Sequence, residues 1–324
     1  MNKLKILILI KRFDIERPKH KLLFDMIASI EKFAEVKYWH KDGDINEILK
    51  NIKFSPDFIF SYDIEWKYAF TPIITGLEKV NIPKGTYVKD TYWIPRNRIK
   101  FIEDNKIDLI FSPTKESFLK IYPQYESKFR WMPFSINPNI IKDWGLKEDI
   151  DFLLMGLFYY IDNKNNKMFA FKKGKYPFRE AVYKKMKNKE GFVFIPHPGH
   201  DTKDGPEVII NEKYACKLNR SKIFFTCGSI WQYPVMKYTQ ALGCRTLLLA
   251  KPNKDILELG FKDGVNFIAC DEKNFYEKAM YYLNNTKERE CITNNGYNFV
   301  HTYHTNSVRA QQFIKYVEDF IKIQ

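Results

Sequence analysis

The chain has 324 residues, of which 45% are hydrophobic and 16% aromatic. This composition excludes a disordered or fibrous protein, and the length is enough for two packed domains. The formal net charge of +14 favours an anionic partner. The longest apolar run near the start, residues 6–10, is too short for the core of a signal peptide or for a membrane span. We therefore expect a soluble, cytoplasmic protein.

Five cysteines lie in the second half of the chain, without the CxxC spacing of a zinc or redox site. They are Cys216, Cys227, Cys244, Cys270 and Cys291. This pattern predicts reduced and mostly packed thiols, as expected in the cytoplasm.

Strand-like apolar runs alternate with helical periodicity along both halves of the chain, which predicts two α/β domains with parallel sheets. In the first half, the predicted strands are residues 4–10, 57–61, 86–88 and 108–112, and the predicted helices are residues 18–32, 97–103 and 115–122. An aperiodic stretch, residues 133–144, predicts the linker. In the second half, the predicted strands are residues 150–155, 192–195, 222–226, 246–250 and 266–269, and the predicted helices are residues 178–186, 213–218, 234–242, 275–283, 287–300 and 307–321.

Most of the positive charge is concentrated in residues 164–189. Against Glu180 alone, this segment carries ten basic residues and hence a net charge of +9: Lys164, Lys167, Lys172, Lys173, Lys175, Arg179, Lys184, Lys185, Lys187 and Lys189. Such an excess predicts an anionic partner, which could be a nucleoside diphosphate, a phospholipid surface, an anionic polysaccharide or a nucleic acid. The alternative is a solvated, lysine-rich helix face. The loop containing Lys172, Lys173 and Lys175 favours anion binding, because it precedes a predicted helix.

The segment QYPVMKYTQALGC, residues 232–244, is followed by the apolar run TLLLA. It predicts a helix that begins near a proline, ends at a glycine and leads into a buried strand. In an α/β domain, the start of this helix would face the ligand crevice at the carboxyl ends of the strands. Polar Gln232, Lys237 and Gln240 lie among its apolar positions.

This segment resembles the donor-binding helix of group-1 glycosyltransferases, in which a Glu is followed by seven residues and then by Glu-Ala. Gln232 and Gln240 hold that spacing as amides, and Ala241 is also in place. The order of motifs over residues 150–309 begins with MGLF, which contains Gly156, and continues with YPFREAV, which contains Arg179. It is similar to the order in the carboxyl half of group-1 glycosyltransferases of the spore-maturation-protein (CgeB-like) type.

The resemblance implies the GT-B fold, an α/β fold of two facing Rossmann-like domains with a C-terminal helix that crosses back to the first. We therefore expect an acceptor-side domain at residues 1–144, joined by helix 307–324, and a nucleotide-sugar-binding domain at residues 150–306. The implied reaction moves a sugar from a nucleotide-activated donor, with UDP favoured, to a hydroxyl of a glycan, glycoconjugate or protein. It needs no catalytic metal and no cofactor.

The expected donor site follows from the chemistry of a leaving diphosphate, which gains negative charge and needs cations. Lys237 occupies the position where the family commonly has Arg, and Arg179 is the second candidate cation, with a surface ion pair as its alternative role. By resemblance, Gln240 holds the ribose and Gln232 contacts the transferred sugar. The remaining donor-binding candidates are Gly156, Tyr233 and His197. A local hydrogen bond is the alternative role for His197.

An inverting enzyme would also need an acceptor base at the end of a first-domain strand. Asp90 is the first candidate and Asp63 the second, followed by Asp14 and His20; each could instead be a helix cap or turn residue. Retaining enzymes need no such base. Asp42 and Asp44 form a DxD in a polar loop of the first half, which we attribute to chance.

Two other functions remain open at this stage. A phage-like DNA glucosyltransferase would use the basic segment on phosphates. A catalytically silent nucleotide- or glycan-binding module would explain the two amides at the acidic positions. The basic segment also makes peripheral contact with a membrane a candidate.

Overall fold

The computed structural model describes residues 3–162, 167–169 and 172–323. Contacts within the chain divide it into two compact units, Met1–Pro133 with Asn306–Gln324, and Phe134–Thr305. The sequence placed the first boundary after residue 144, whereas residues 134–144 belong to the second unit. They are held there because Ile136 pairs with Thr305 and the backbone N–H of Trp144 donates to the Asn219 side chain at 3.2 Å.

The first unit contains a six-stranded, fully parallel sheet in the order β2-β1-β4-β6-β7-β8. All four central strands are buried, as expected for a parallel sheet covered on both faces, and all but β6 (sequence KGTY) are mainly apolar. The strands of this unit are β1 (Lys5–Leu9), β2 (Glu35–Trp39), β4 (Phe58–Ser61), β6 (Lys84–Tyr87), β7 (Leu109–Ser112) and β8 (Phe129–Trp131), with the short parallel pair β3 (Gly43–Asp44) and β5 (Ile74–Thr75).

The helices of the first unit are α1 (Phe13–Glu16), α2 (Lys21–Ala28), α3 (Ile45–Ile52), α4 (Glu65–Tyr68), α5 (Pro95–Asp104), α6 (Glu116–Ile121) and the last helix, α13 (Asn306–Ile323). Helix α13 packs into the core of this unit. The Phe313 ring lies 5.0 Å from the Phe60 ring and 4.7 Å from the Phe111 ring, between centroids, and all three side chains are fully buried. The final helix therefore completes the hydrophobic core of the first unit.

The second unit contains a five-stranded, fully parallel sheet in the order β12-β9-β13-β14-β15. Its strands are β9 (Ile150–Gly156), β12 (Phe192–Pro196), β13 (Ser221–Thr226), β14 (Leu247–Ala250) and β15 (Ile268–Ala269), with a separate antiparallel pair, β10 (Tyr160–Asp162) and β11 (Lys167–Phe169). Its helices are α7 (Pro177–Met186), α8 (Asn211–Asn219), α9 (Lys237–Gly243), α10 (Lys254–Glu258), α11 (Phe275–Asn284) and α12 (Thr286–Tyr303).

Helix α9 differs from its prediction, because it begins at Lys237 rather than at residue 234. The residues before it form a loop that leaves β13. The close packing of α9 against α12 requires a glycine at position 296, since a Cβ there would lie 2.8 Å from Leu242 Cδ2 and 2.6 Å from the Asn266 carbonyl oxygen.

Lys164 of the basic segment lies outside the described residues. Lys184 and Lys187 are exposed on and just after α7, as the solvated-face interpretation predicts for them. Within residues 3–162, 167–169 and 172–323, none of the helices has both the length and the apolar character needed to cross a bilayer.

Candidate active site

A pocket of about 200 Å³ lies in the second unit at the carboxyl ends of β13 and β14. Such strand ends are where open α/β sheets bind ligands. The pocket is lined by Pro177, Phe178, Cys227, Gly228, Ser229, Ile230, Gln232, Lys251, Pro252, Asn253 and Glu272. Gln232 is therefore the donor-binding candidate that contributes directly to this pocket.

Arg179 lies near the start of α7 and is 3% exposed. Its guanidinium donates hydrogen bonds to the chain at the ends of β13 and β9. Its Nη2 donates to Thr226 Oγ1 at 3.1 Å and to the Cys227 carbonyl at 2.9 Å, while Nη1 donates to the Leu157 carbonyl at 3.2 Å. The guanidinium carbon lies 4.5 Å from the Tyr176 ring centroid. All of these partners are neutral, so Arg179 is not the surface ion pair of its alternative interpretation. It brings a buried positive charge to the end of β9.

Gly156 allows a second cation to approach Arg179 closely. Its φ of +132° is a backbone conformation that favours glycine. A Cβ at this position would lie 3.1 Å from Lys237 Cε and 3.3 Å from Arg179 Nη1. Gly156, Arg179 and Lys237, which were separate predictions from the sequence, therefore meet at one point.

The Lys237 ammonium has neither a hydrogen bond nor a carboxylate partner within the part of the chain that the structure describes. Its Nζ faces the Tyr214 ring, 5.2 Å from the centroid. Burial lowers the pKa of Lys237 to about 7, and repulsion by Arg179 adds to this effect. A bound anion would offset the repulsion between the Lys237 and Arg179 charges, so this pair of cations is a candidate anion-binding site.

Gln240 lies on α9, three residues after Lys237, and is 6% exposed. Its side-chain amide makes no hydrogen bond to any described residue. Burying an amide without partners is unfavourable, so this group is available to a ligand that offers hydroxyls.

A tight turn places Gln232 at the pocket. The Tyr233 N–H donates to the Gly228 carbonyl at 3.3 Å, and a Cβ on Gly228 would lie 2.5 Å from the Tyr233 carbonyl oxygen. Gln232 has a φ of +50° and is exposed, whereas Tyr233 is buried. The turn therefore presents Gln232 to a ligand and packs Tyr233 inside.

His197 follows β12, as predicted, and its Nδ1 accepts a hydrogen bond from the Gly199 N–H at 3.0 Å. Its ring lies 4.8 Å from the His200 ring, between centroids. This is the local hydrogen bond of the alternative interpretation, and a role for His197 in donor binding stays a prediction.

The basic loop, defined here as Lys172–Lys175, is attached to the pocket rim. The Ile230 N–H donates to the Lys175 carbonyl at 3.0 Å, and Ile230 lines the pocket. Lys172 and Lys173 are exposed, whereas Lys175 is half-buried with its Nζ 5.8 Å from the Tyr176 ring centroid.

Asp63, the second candidate base, is held in a buried ion pair in the first unit. Its oxygens accept hydrogen bonds from Arg98 Nε at 3.0 Å, Arg98 Nη2 at 2.5 Å and the Lys89 N–H at 2.8 Å, and Asp63 is 1% exposed. Because its oxygens are occupied by these donors and closed off from solvent, this carboxylate has no access to the hydroxyl of an acceptor. We therefore assign Asp63 a structural role. The sequence did not reveal Arg98, because an arginine on a predicted helix gives no sign that it points inward.

Asp90 is half-buried, and its carbonyl accepts hydrogen bonds from Arg98 Nη1 at 2.5 Å and the Trp93 N–H at 2.8 Å. Its backbone is thus fixed by the same arginine, and its carboxylate stays the candidate base. Asp14, by contrast, forms an ion pair with Arg12 at 2.8 Å.

The DxD motif has an ordinary structural explanation. Asp42 accepts from the Ile73 N–H at 2.8 Å, and Asp44 caps α3 by accepting from the Asn46 N–H at 2.9 Å. Across the described ranges, no group of three or more His, Cys, Asp or Glu side chains could hold a metal ion.

The fold is that of GT-B glycosyltransferases. The chain superimposes on a glycosyltransferase from Rickettsia africae ESF-5 with a TM-score of 0.61, 11% identity and 100% of both chains covered. It also matches HepE of Anabaena in complex with UDP and glucose (TM-score 0.59, 10% identity, 97% of this chain and 99% of that one). Sucrose-phosphate synthase from Thermosynechococcus elongatus gives a TM-score of 0.59 at 9% identity, with 99% of this chain and 100% of that one covered. At such low identity the likeness is one of fold.

Residues 179–315 match the family model described as glycosyl transferase-like. The matched region begins at Arg179 and includes Gln232, Lys237 and Gln240. No curated protein matches the chain in sequence.

Proposed function

We propose that the protein is a GT-B glycosyltransferase that moves a sugar from a UDP-type donor to a hydroxyl acceptor, without a catalytic metal. The observation that carries this proposal is the Lys237 ammonium, which lies beside Arg179 at the end of β9 without an anionic partner among the described residues. Support comes from the glycosyl transferase-like match over residues 179–315 and from HepE, a structure of the same fold with UDP and glucose bound.

In this proposal Lys237 binds the donor diphosphate and stabilises the charge that develops as the glycosidic bond breaks. Arg179 adds positive potential, but its hydrogen bonds to strand ends make it chiefly a positioning residue. The Gln240 amide binds the ribose, and Gln232 contacts the sugar in the adjoining pocket. An amide can donate and accept hydrogen bonds but cannot take a proton, so neither glutamine is a base.

For an inverting reaction, Asp90 would accept the proton of the acceptor hydroxyl. The basic loop would bind an anionic acceptor or the donor phosphates, since it is attached to the rim of the pocket. Within the glycosyltransferases, the order of motifs over residues 150–309 supports the spore-maturation-protein (CgeB-like) type, and a cytoplasmic location fits this proposal.

The direct test is release of UDP from UDP-sugars by the full chain, after a thermal-shift screen of nucleotides and nucleotide sugars. A ligand at 100 times its Kd should stabilise the protein by about 2.7 kcal/mol. Stabilisation by UDP-sugars without hydrolysis or transfer in the presence of any acceptor would instead identify a silent binding module. Turnover on duplex DNA, with affinity that falls steeply as salt rises, would identify a DNA glucosyltransferase.

Gln240→Glu restores the carboxylate that is usual at this position of the related helix, and we expect it to preserve or increase donor affinity. A carboxylate accepts hydrogen bonds from both ribose hydroxyls more strongly than an amide does. Isothermal titration with UDP measures the effect, and Gln240→Leu, which can make no hydrogen bond, is the matched control. Equal affinity in all three proteins would show that Gln240 does not contact the nucleotide.

Binding of UDP should depend on pH through Lys237. Lys237 is half protonated at about pH 7 and largely protonated only below it, so affinity should level off below pH 7 while the phosphate stays ionised. Above this pH, the neutral Lys237 amine must take up a proton from the buffer when UDP binds. The affinity for UDP should therefore fall by up to about tenfold per pH unit. Isothermal titration at pH 8 in two buffers of different ionisation enthalpy measures this uptake. Lys237→Arg, which stays charged, should bind without it; unchanged uptake in this variant would refute the assignment.

A further inference from the structure

The basic loop and the turn that follows β13 lie next to each other in the second unit. The turn, residues 229–232, follows β13, and the hydrogen bond from the Ile230 N–H to the Lys175 carbonyl joins it to the basic loop. The surface defined by Lys172, Lys173, Ile230 and Trp231 therefore combines positive charge with apolar side chains. We call it the loop surface.

The apolar part of this surface is unusually exposed. Ile230 is 57% exposed and Trp231 is 40% exposed, and no other two consecutive large apolar residues of the described chain are both exposed. Isolated exposed apolar residues need no explanation, but adjacent ones beside lysines indicate an interaction site.

The backbone of the turn is fixed on either side of these two residues. Ser229 and Gln232, on either side of them, have φ values of +63° and +50°, which are unfavourable for residues with a Cβ. Hydrogen bonds from Trp231 N–H to Ser229 Oγ and from Gln232 N–H to the Ser229 carbonyl, both 3.2 Å, fix the turn. A fixed turn loses little conformational freedom when it binds.

We propose that the loop surface docks on an anionic phospholipid membrane, with Ile230 and Trp231 in the interfacial layer and Lys172 and Lys173 on the headgroups. Lysines near an anionic surface and an aromatic residue at the interface are each favourable, and peripheral binding usually needs two such signals together. Headgroup binding by these lysines is an alternative to their binding of the donor phosphates, and it does not require transferase activity.

Single-stranded nucleic acid also attracts lysines and stacks on tryptophan. The chemistry of Ile230 favours the membrane instead. Ile230 is the more exposed of the two apolar residues, and an aliphatic side chain offers no aromatic face for a base but is well suited to the acyl boundary.

The test is co-sedimentation of the full chain with phosphatidylcholine vesicles, with and without phosphatidylglycerol, at low salt. We expect at least about tenfold stronger partitioning onto the anionic vesicles, and a loss of about tenfold or more in Lys172→Glu/Lys173→Glu. The matched control, Lys184→Glu/Lys187→Glu, makes the same charge change on exposed lysines of the same basic segment and should have a clearly smaller effect. Ile230→Ser should lower partitioning by about tenfold, whereas Leu257→Ser, at another exposed apolar position, should not.

The proposal would be overturned by any of three results: equal binding to both kinds of vesicle, no binding to vesicles at low salt, or equal losses of binding in the two charge variants. It would also be overturned by binding to a single-stranded oligonucleotide, lost in Lys172→Glu/Lys173→Glu, without any binding to vesicles. UDP-sugar hydrolysis in the absence of vesicles is measured in parallel, so that failure of membrane docking is distinguished from absence of transferase activity.

Discussion

Replacing Lys237 with alanine should lower kcat/KM for UDP-sugar turnover about 30- to 1,000-fold, which corresponds to about 2 to 4 kcal/mol of transition-state stabilisation. The reason is that the Lys237 ammonium makes no hydrogen bond to any described residue, whereas the Arg179 guanidinium donates hydrogen bonds to oxygens at the strand ends. Steady-state and single-turnover kinetics measure the loss, and they separate an effect on kcat from an effect on donor binding.

The control for this prediction is Lys237→Arg, which keeps the positive charge and should retain much more activity than the alanine variant. Thermal unfolding of both variants checks that the site still folds. Loss of the amine should not itself reduce stability, because desolvation and the repulsion from Arg179 already oppose its charged form. Full activity in Lys237→Ala would contradict the site assignment.

Replacing Arg98 with methionine should destabilise the first unit by about 3 to 5 kcal/mol, because it leaves the Asp63 carboxylate buried without its charged partner. Both side chains of this pair are 1% exposed. Arg98 also holds the Asp90 and Trp93 carbonyls, at 2.5 and 2.8 Å, so the loop after β6 should loosen as well. Denaturant unfolding measures the stability, and amide hydrogen exchange locates the loss.

Two further variants test whether the loss of stability comes from the buried, unpaired charge. Adding Asp63→Asn to Arg98→Met removes the uncompensated charge and should recover part of the stability, since the amide oxygen can still accept from the Lys89 N–H. Arg220→Met breaks the exposed pair with Asp149 and should change stability far less. A comparable loss in Arg220→Met would mean that burial is not the cause.

The sequence was informative wherever one strong local signal was present. Strands such as β4, β7 and β14 are mainly apolar runs, and most of the predicted strand bounds differ from the observed ones by only one or two residues. Strands β2 and β8 were missed because their residues are only partly buried, so their sequences lack that signal. Helix α9 begins three residues later than predicted, at Lys237, and the left-handed conformation of Gln232 in the preceding loop was not predicted.

For the candidate site, the spacing of Gln232, Lys237 and Gln240 was readable, whereas their surroundings were not. Only the structure shows that the glycine at 156 leaves room for Lys237 beside Arg179. Similarly, Asp90 and Asp63 were the first and second candidate bases, and both are carboxylates that follow predicted strands. The partner that separates them, Arg98, is 35 residues from Asp63 in the chain, and no local pattern relates the two.

The position of α13 has a consequence for how the protein folds during its synthesis. Every residue of the second unit leaves the ribosome before Asn306, so that unit can fold while the first unit still lacks its last helix. Until Phe313 emerges, Phe60 and Phe111 lack the side chain that covers them. The unit whose translation begins first is therefore completed only after the second unit, and part of its aromatic core stays uncovered until α13 is made.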